Sequence, residues 1–164
     1  MRIAGMIQDS IVDGPGLRFV VFAQGCKAQC EGCHNPGALD PSGGTEVPAA
    51  DIIDAMLRNP LTDGLTLSGG EPFLQAEECV KLAAAARKEG LNVWVFSGYT
   101  FEELTEIART DTAVGELLEL SAVLVDGRFV LSKRTLQLKW RGSRNQRLID
   151  LQKSLASGKA VELD

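Results

Sequence analysis

Three thiols stand within eight residues, Cys26-Lys27-Ala28-Gln29-Cys30-Glu31-Gly32-Cys33, in the spacing C-x3-C-x2-C. Thiols this close on an irregular loop can share one centre, but three is an odd number for the common ones. A closed structural zinc site takes four ligands, typically as two separated pairs. His34 would complete such a set with Cys26, Cys30 and Cys33. A 4Fe–4S cubane needs a ligand on each iron, so three cysteines leave one iron open to something that is not protein. Two further readings are a disulfide with a spare thiol, and three unconnected thiols packed as small hydrophobes.

About forty residues downstream, a short apolar run ends in Thr66-Leu67-Ser68-Gly69-Gly70-Glu71-Pro72. A C-x3-C-x2-C loop followed by a strand ending in Gly-Gly-Glu-Pro resembles the radical S-adenosylmethionine (SAM) superfamily. The resemblance implies one 4Fe–4S cluster, with Cys26, Cys30 and Cys33 on three irons and SAM chelating the fourth through its amino and carboxylate groups. It implies that Gly69 and Gly70, lacking Cβ, let backbone approach the methionine amine. Glu71 would fix that turn, and Gly32, Cys33 and His34 would lie where the adenine packs. Where the family shows an aromatic residue before the third cysteine, this chain has Gly32, which leaves His34 to supply a ring. Ser97 is a candidate for the SAM carboxylate side. The implied chemistry passes one electron from the reduced cluster to the sulfonium, releasing methionine and a 5′-deoxyadenosyl radical. The protein contributes orientation and a dry site.

The segment Asp13-Gly14-Pro15-Gly16-Leu17-Arg18 reads locally as a Gly/Pro turn. It also resembles the signature of glycyl-radical-enzyme activases, in which the target is a glycine Cα–H on a loop of a partner protein. By that resemblance Asp13 would face the incoming peptide. Cys30-Glu31-Gly32-Cys33-His34-Asn35, the late run Arg141-Gly142-Ser143-Arg144-Asn145-Gln146-Arg147 and the short length resemble the activases of the anaerobic ribonucleotide reductase. The implied partners are the glycyl-radical subunit of that reductase and a flavodoxin or ferredoxin electron donor. The alternatives are activation of another glycyl radical enzyme, such as pyruvate formate-lyase, and small-molecule radical SAM chemistry.

The elements around these motifs read as strands alternating with helices. Residues 1–10 allow an edge strand. Residues 17–23 are β-branched and aromatic, a buried strand that delivers the cluster loop, 24–36, at its C-terminal end. Helices are expected at 48–58, where Ile52, Ile53, Met56 and Leu57 form a stripe, at 75–89, and from Thr100, where Thr100-Phe101-Glu102-Glu103 is a capping box, to about 109. Cys79 falls on the apolar face of the second of these and reads as core. Further strands are expected at 65–68, 91–96, 120–125, 146–150 and 160–163, with a short helix near 152–156. This rhythm predicts a parallel α/β sheet or barrel. With the resemblance it implies an incomplete (β/α)6-type radical SAM barrel in a single domain, 1–164. Between Gly127 and Ile149 lie seven bases and no acid: Arg128, Lys133, Arg134, Lys139, Arg141, Arg144 and Arg147. This basic excursion, 127–147, reads either as a solvated surface segment or as a dock for an acidic partner.

At 164 residues the chain is well short of the roughly 250 residues of a complete (β/α)8 barrel. Its formal charge of −5 gives no general case for binding nucleic acid or an anionic membrane. No apolar run is long enough to span a bilayer, and residues 1–14 do not read as a signal peptide. The expected location is therefore cytoplasmic, where thiols stay reduced and free for metal.

Overall fold

After Arg18, the run Phe19-Val20-Val21-Phe22-Ala23 is apolar at consecutive positions because both faces of the strand it forms are covered. The computed structural model describes residues 1–163. It contains seven strands: β1 (Arg2–Ser10), β2 (Arg18–Ala23), β3 (Thr45–Glu46), β4 (Gly64–Gly69), β5 (Asn92–Phe96), β6 (Val123–Asp126) and β7 (Arg147–Asp150). All lie in one sheet of order β3-β1-β2-β4-β5-β6-β7. The helices are α1 (Ala49–Leu57), α2 (Ala76–Lys88), α3 (Phe101–Ile107), α4 (Thr112–Leu120) and α5 (Leu151–Ser157). The expected α/β class holds, but the sheet is mixed. β2, β4, β5 and β6 run parallel, whereas β1 is antiparallel to β2 and β7 is antiparallel to β6. The link from β6 to β7 contains no α-helix to carry the chain back across the sheet, so β7 re-enters from the end at which β6 left.

Two other expectations are corrected. The strand expected at 120–125 begins only at Val123, because Leu120 closes a helix, α4, that the strand–helix reading omitted. Asp111 caps it, accepting from the N–H groups of Ala113 and Val114, and Val114, Leu117 and Leu118 form its buried stripe. At 160–163 there is no strand, only a single bridge between Ile149 and Glu162. With the N–H of Asp150 donating to the carbonyl of Val161, and that of Leu163 to the carbonyl of Leu148, the bridge covers the outer edge of β7.

Phe19, Val21, Leu65, Leu67, Val93, Val95, Leu124 and Ile149 project from one face of the sheet into the main core. They share it with Ile52 and Met56 of α1, Cys79, Leu82, Ala83 and Ala86 of α2, and Leu117 and Leu118 of α4. Each fully buried large side chain here contributes about 1.5–3 kcal/mol. The opposite face carries a second cluster of Trp94, Val123, Val125 and Leu148, against which Trp140 of the excursion packs. The Trp94 and Trp140 rings meet edge to face at 5.0 Å. The excursion therefore folds back over this face of the sheet instead of standing away in solvent.

Arg18, at the start of β2, is fully buried on that same face. Its guanidinium donates to Thr66 Oγ1 at 2.6 Å, the Leu65 carbonyl at 2.7 Å and Asn92 Oδ1 at 2.9 Å, and it lies 5.6 Å from the Trp94 ring centroid. Burial brings its pKa down to about 10, against the pull of Asp63 and Asp13.

Arg147 departs from the reading of its segment as a basic surface. Its guanidinium donates two hydrogen bonds to Asp126, whose side chain is 1% exposed, and also pairs with Glu102 at 2.7 Å. Asp126 in turn accepts from the N–H of Phe101, tying β6, β7 and the start of α3 together. Replacing Arg147 with Met leaves a buried carboxylate without its cation. A loss on the order of 3 kcal/mol in urea unfolding is expected; a change below about 0.5 kcal/mol would show that Asp126 does not depend on Arg147.

Candidate functional site

The site lies where the parallel strands end. After β2 the chain leaves as the loop of residues 24–36, and the loop is fixed at its root. The N–H groups of Gly25 and Cys26 donate to the carbonyls of Ala38 and Leu39, at 2.7 and 3.1 Å. Within the loop the Cys33 N–H closes a turn on the Cys30 carbonyl at 3.1 Å, and the Asn35 N–H points at Cys33 Sγ. Cys26, Cys30 and Cys33 are all free and half-buried on this loop, whereas Cys79 is fully buried in α2. Burial pushes the Cys26 thiol above its usual range, and the nearby Glu71, Cys30 and Cys33 push the same way. Burial raises Cys79 much further, as expected of a core thiol.

The end of β4 packs directly against this root. Gly69 has φ +97°, and a Cβ there would lie 2.5 Å from the Ala23 nitrogen. A Cβ on Gly70 would lie 2.4 Å from the Gly25 carbonyl oxygen and 2.8 Å from that of Ala38. Backbone meets backbone at both positions, so the glycine pair is required by the joint between β4 and the cluster loop. The N–H groups of Gly70 and Glu71 complete the joint by donating to the carbonyls of Ala23 and Gly25, each at 2.8 Å.

Glu71 is 3% exposed and accepts from three groups: its own Phe73 N–H at 3.2 Å, the Ser97 hydroxyl at 2.9 Å and the Gly98 N–H at 2.8 Å. Ser97 is buried too, and its hydroxyl also accepts from the Tyr99 N–H, so this side chain is committed to the turn. Glu71, Gly98 and Tyr99 line a small recess with Cys26 and Arg128.

Beside the loop opens a cavity of about 830 Å³, between the sheet face carrying Phe22, Ser68 and Phe96 and the excursion. Asp13 and His34 are both in its wall. Gly69, Gly70 and Ser97 lie in the wall of neither the cavity nor the recess. The Asp13 carbonyl accepts from Thr66 Oγ1 at 2.8 Å, which seats the Gly/Pro turn on β4.

Phe129 is the site residue that sequence reasoning passed over. Its ring lies 4.7 Å from that of His34, and a Cβ on Gly32 would fall 3.4 Å from its Cε1 and 3.1 Å from a Leu131 methyl. The excursion thus fills the space that Gly32 leaves empty. The signal was an aromatic residue inside an otherwise basic run. The late run at 141–147 is the clasp of this excursion. Gln146 Oε1 accepts from the N–H groups of Gly142 and Ser143, its amide donates to the Gly127 carbonyl, and Asn145 donates to that of Arg128.

Among the described residues no three His, Cys, Asp or Glu side chains converge on one point, as a single bound ion would need. Thiolates that each hold a different iron of a cluster have no such requirement, and three thiols on one half-buried loop, with cysteine as the donor, suit an iron–sulfur cluster. His34 is packed on Phe129, and a Cβ on Gly142 would lie 2.8 Å from its Cε1, which leaves the ring little freedom to turn toward the thiols.

This geometry agrees with what the chain resembles. It belongs to the 4Fe-4S single cluster domain family, which matches residues 12–149. Within it, its relatives are the radical SAM activases of glycyl-radical enzymes. The chain is 35% identical over 146 residues to the anaerobic ribonucleoside-triphosphate reductase-activating protein of Escherichia coli (strain K12), covering 83% of this chain and 90% of that one. To the protein of the same name from Enterobacteria phage T4 it is 34% identical over 143 residues, covering 84% and 86%. A pyruvate formate-lyase-activating enzyme of Clostridium pasteurianum is 36% identical over 132 residues, 77% of this chain but 55% of that enzyme.

The buried carboxyl of Glu71 gives a pH signature. Burial pushes it up to about 7 from an ordinary 4.5, against the three donors that favour its charge. Between those values the folded chain holds more protons than the unfolded one, so this group's contribution to stability is full below about pH 4.5 and is lost as pH rises to 7. In cluster-free protein, Glu71→Gln should remove that part of the decline in unfolding free energy across this window. Equal slopes in the two proteins would contradict the account.

Proposed function

We propose that the chain is an activase that installs a glycyl radical on the anaerobic ribonucleotide reductase, using a 4Fe–4S cluster and SAM in an incomplete (β/α)6-type radical SAM barrel formed by one domain. The observation that carries this reading is the juxtaposition of three thiols after β2, a Gly-Gly-Glu turn packed on the root of their loop, and a cavity beside them walled by Asp13 and His34. Cys26, Cys30 and Cys33 would hold the cluster, leaving one iron for SAM. The chemistry supplied by the bound cofactors is one-electron cleavage of a C–S bond of SAM.

The remaining roles belong to the chain. Gly32, Cys33 and His34 would meet the adenine, with His34 and the Phe129 ring beside it in the cavity wall. Gly69 and Gly70 bring the end of β4 against the loop root, and Glu71 holds it there; Ser97 serves by positioning Glu71. Asp13, also in the cavity wall, faces the incoming peptide. A glycine suits such a target, since its Cα radical is flanked by two amides and its lack of a side chain lets a loop enter a walled cavity. About 830 Å³ is within the range of sites that bury a small-molecule ligand. The exposed bases Arg128, Lys133 and Arg144 suit an acidic electron donor, a flavodoxin or ferredoxin. Reduced thiols and the absence, among the described residues, of a helix long and apolar enough to cross a membrane fit work in the cytoplasm.

Activation of pyruvate formate-lyase is the second reading, carried by the relative from Clostridium pasteurianum, but the match spans little more than half of that enzyme. Side-by-side activation of the two target enzymes separates them. With the anaerobic reductase, reduced cluster-loaded protein and SAM should give a glycyl doublet in EPR; a doublet on pyruvate formate-lyase alone would reverse the assignment.

The ligand set has its own test. Cys26→Ala, Cys30→Ala and Cys33→Ala should each lose the intact cluster, read by iron content and absorbance, together with SAM cleavage. Cys79→Ala should keep both and lose on the order of 1–2 kcal/mol of stability. Full cluster content in any of the first three would remove that cysteine from the set.

A further inference from the structure

The two borders of the sheet are treated differently. At β7 the segment reaching Leu163 covers the outer edge. At the other border β3 pairs only with Arg2 and Ile3 of β1. Beyond them, among the described residues, no strand pairs with the outer side of β1, and Ala4, Met6, Ile7 and Asp9 are exposed. Soluble proteins usually blunt such an edge with lysine, proline or a covering loop. Residues 4–10, Ala-Gly-Met-Ile-Gln-Asp-Ser, contain neither lysine nor proline and carry one charge.

Exposed aliphatic side chains gather at the same border. Met6 and Ile7 are 40% and 45% exposed, Ile11 and Val12 76% and 73%, and Leu61 74%. The Asn59 amide donates to Asp9 at 2.7 Å, which sets the loop carrying Leu61 beside the same end of β1. An open row of backbone donors and acceptors flanked by apolar side chains is what an extended peptide needs in order to add as a strand. The backbone supplies affinity, and alternate side chains supply selectivity.

We propose that the outer edge of β1 docks an extended, uncharged and aliphatic segment of the protein substrate, which adds to the sheet as an eighth strand. The proposal rests on the activase reading above and names how that substrate is held. Continuity selects the occupant: β1 runs through Ile11 directly into Val12 and Asp13, and these two line the cavity. A segment paired along β1 is thereby aimed at the place where the target glycine must arrive. A second copy of this chain fits the edge less well. Register shifts between Ile3 and Gly5 and between Ile7 and Ser10 leave only Gly5, Met6 and Ile7 in regular pairing with β2, a short stretch for a two-fold seam.

The test uses cluster-loaded full-length protein and the glycyl-radical subunit of the anaerobic reductase from the same organism. Met6→Lys/Ile7→Lys changes two exposed side chains, so folding and reductant-driven SAM cleavage should match the parent. The subunit concentration giving half-maximal glycyl radical should rise at least tenfold with the plateau unchanged. In hydrogen exchange, adding the subunit should slow the amides of residues 5–10 at least tenfold in the parent. Unchanged half-saturation together with unprotected amides would overturn the proposal. So would protection that appears without the subunit, grows with the chain's own concentration and accompanies a sedimenting dimer lost in the double variant. If the parent gives no glycyl doublet at all, the activase reading fails instead, and the exchange experiment still decides whether the subunit binds at this edge.

Discussion

A single buried carboxylate holds together the strand ends on which the site depends. Glu71 leaves β4, gives its own N–H to the first turn of the cluster loop after β2, and receives the hydroxyl and N–H of the two residues that follow β5. Three parallel strands would otherwise release their loops independently. A carboxylate in so dry a place is costly, and its donors offset that cost only in part, as the upward shift of its pKa records. The chain accepts this cost at the point where the Cys26 loop must be held in one position.

The other half of the site is assembled by the excursion between β6 and β7, which has little regular secondary structure and is held by side chains instead. Gln146 and Asn145 close it on the carbonyls of Gly127 and Arg128, Trp140 rests on Trp94, and Phe129 rests on His34. Arg147, at its exit, is anchored to Asp126. A segment rich in positive charge can lie over an apolar sheet face because its aromatic residues point inward while most of its bases stay in water.

Much of this was legible in residue order. The apolar and β-branched residues within 17–23, 65–68 and 91–96 mark strands, and Thr100 with Glu103 marks the start of α3. The cysteine spacing and the Gly-Gly-Glu turn were plain for the same reason: their information is local. What escaped depends on distant partners. α4 was passed over although Asp111 and the Val114, Leu117, Leu118 stripe signal it, because Leu120 also reads as the start of the next strand. The reversed direction of β7 follows from a connection without a helix, which no periodicity encodes. The close approach of Gly69 and Gly70 to Ala23 and Gly25 is likewise a contact between distant segments that the Gly-Gly-Glu motif does not spell out. Phe129 sits beside His34 although ninety-five residues separate them, a distance no motif spans.

The fastening of the cysteine loop bears on how the protein meets oxygen. The main core between the sheet and α1, α2 and α4 contains none of the three loop cysteines, and the loop is pinned at its root by main-chain bonds that do not involve sulfur. Destroying an inorganic centre held there would strip the chain of its reactive part while leaving the scaffold standing. Unlike a zinc finger, which unravels without its metal, such a chain does not draw its main core from the centre it carries.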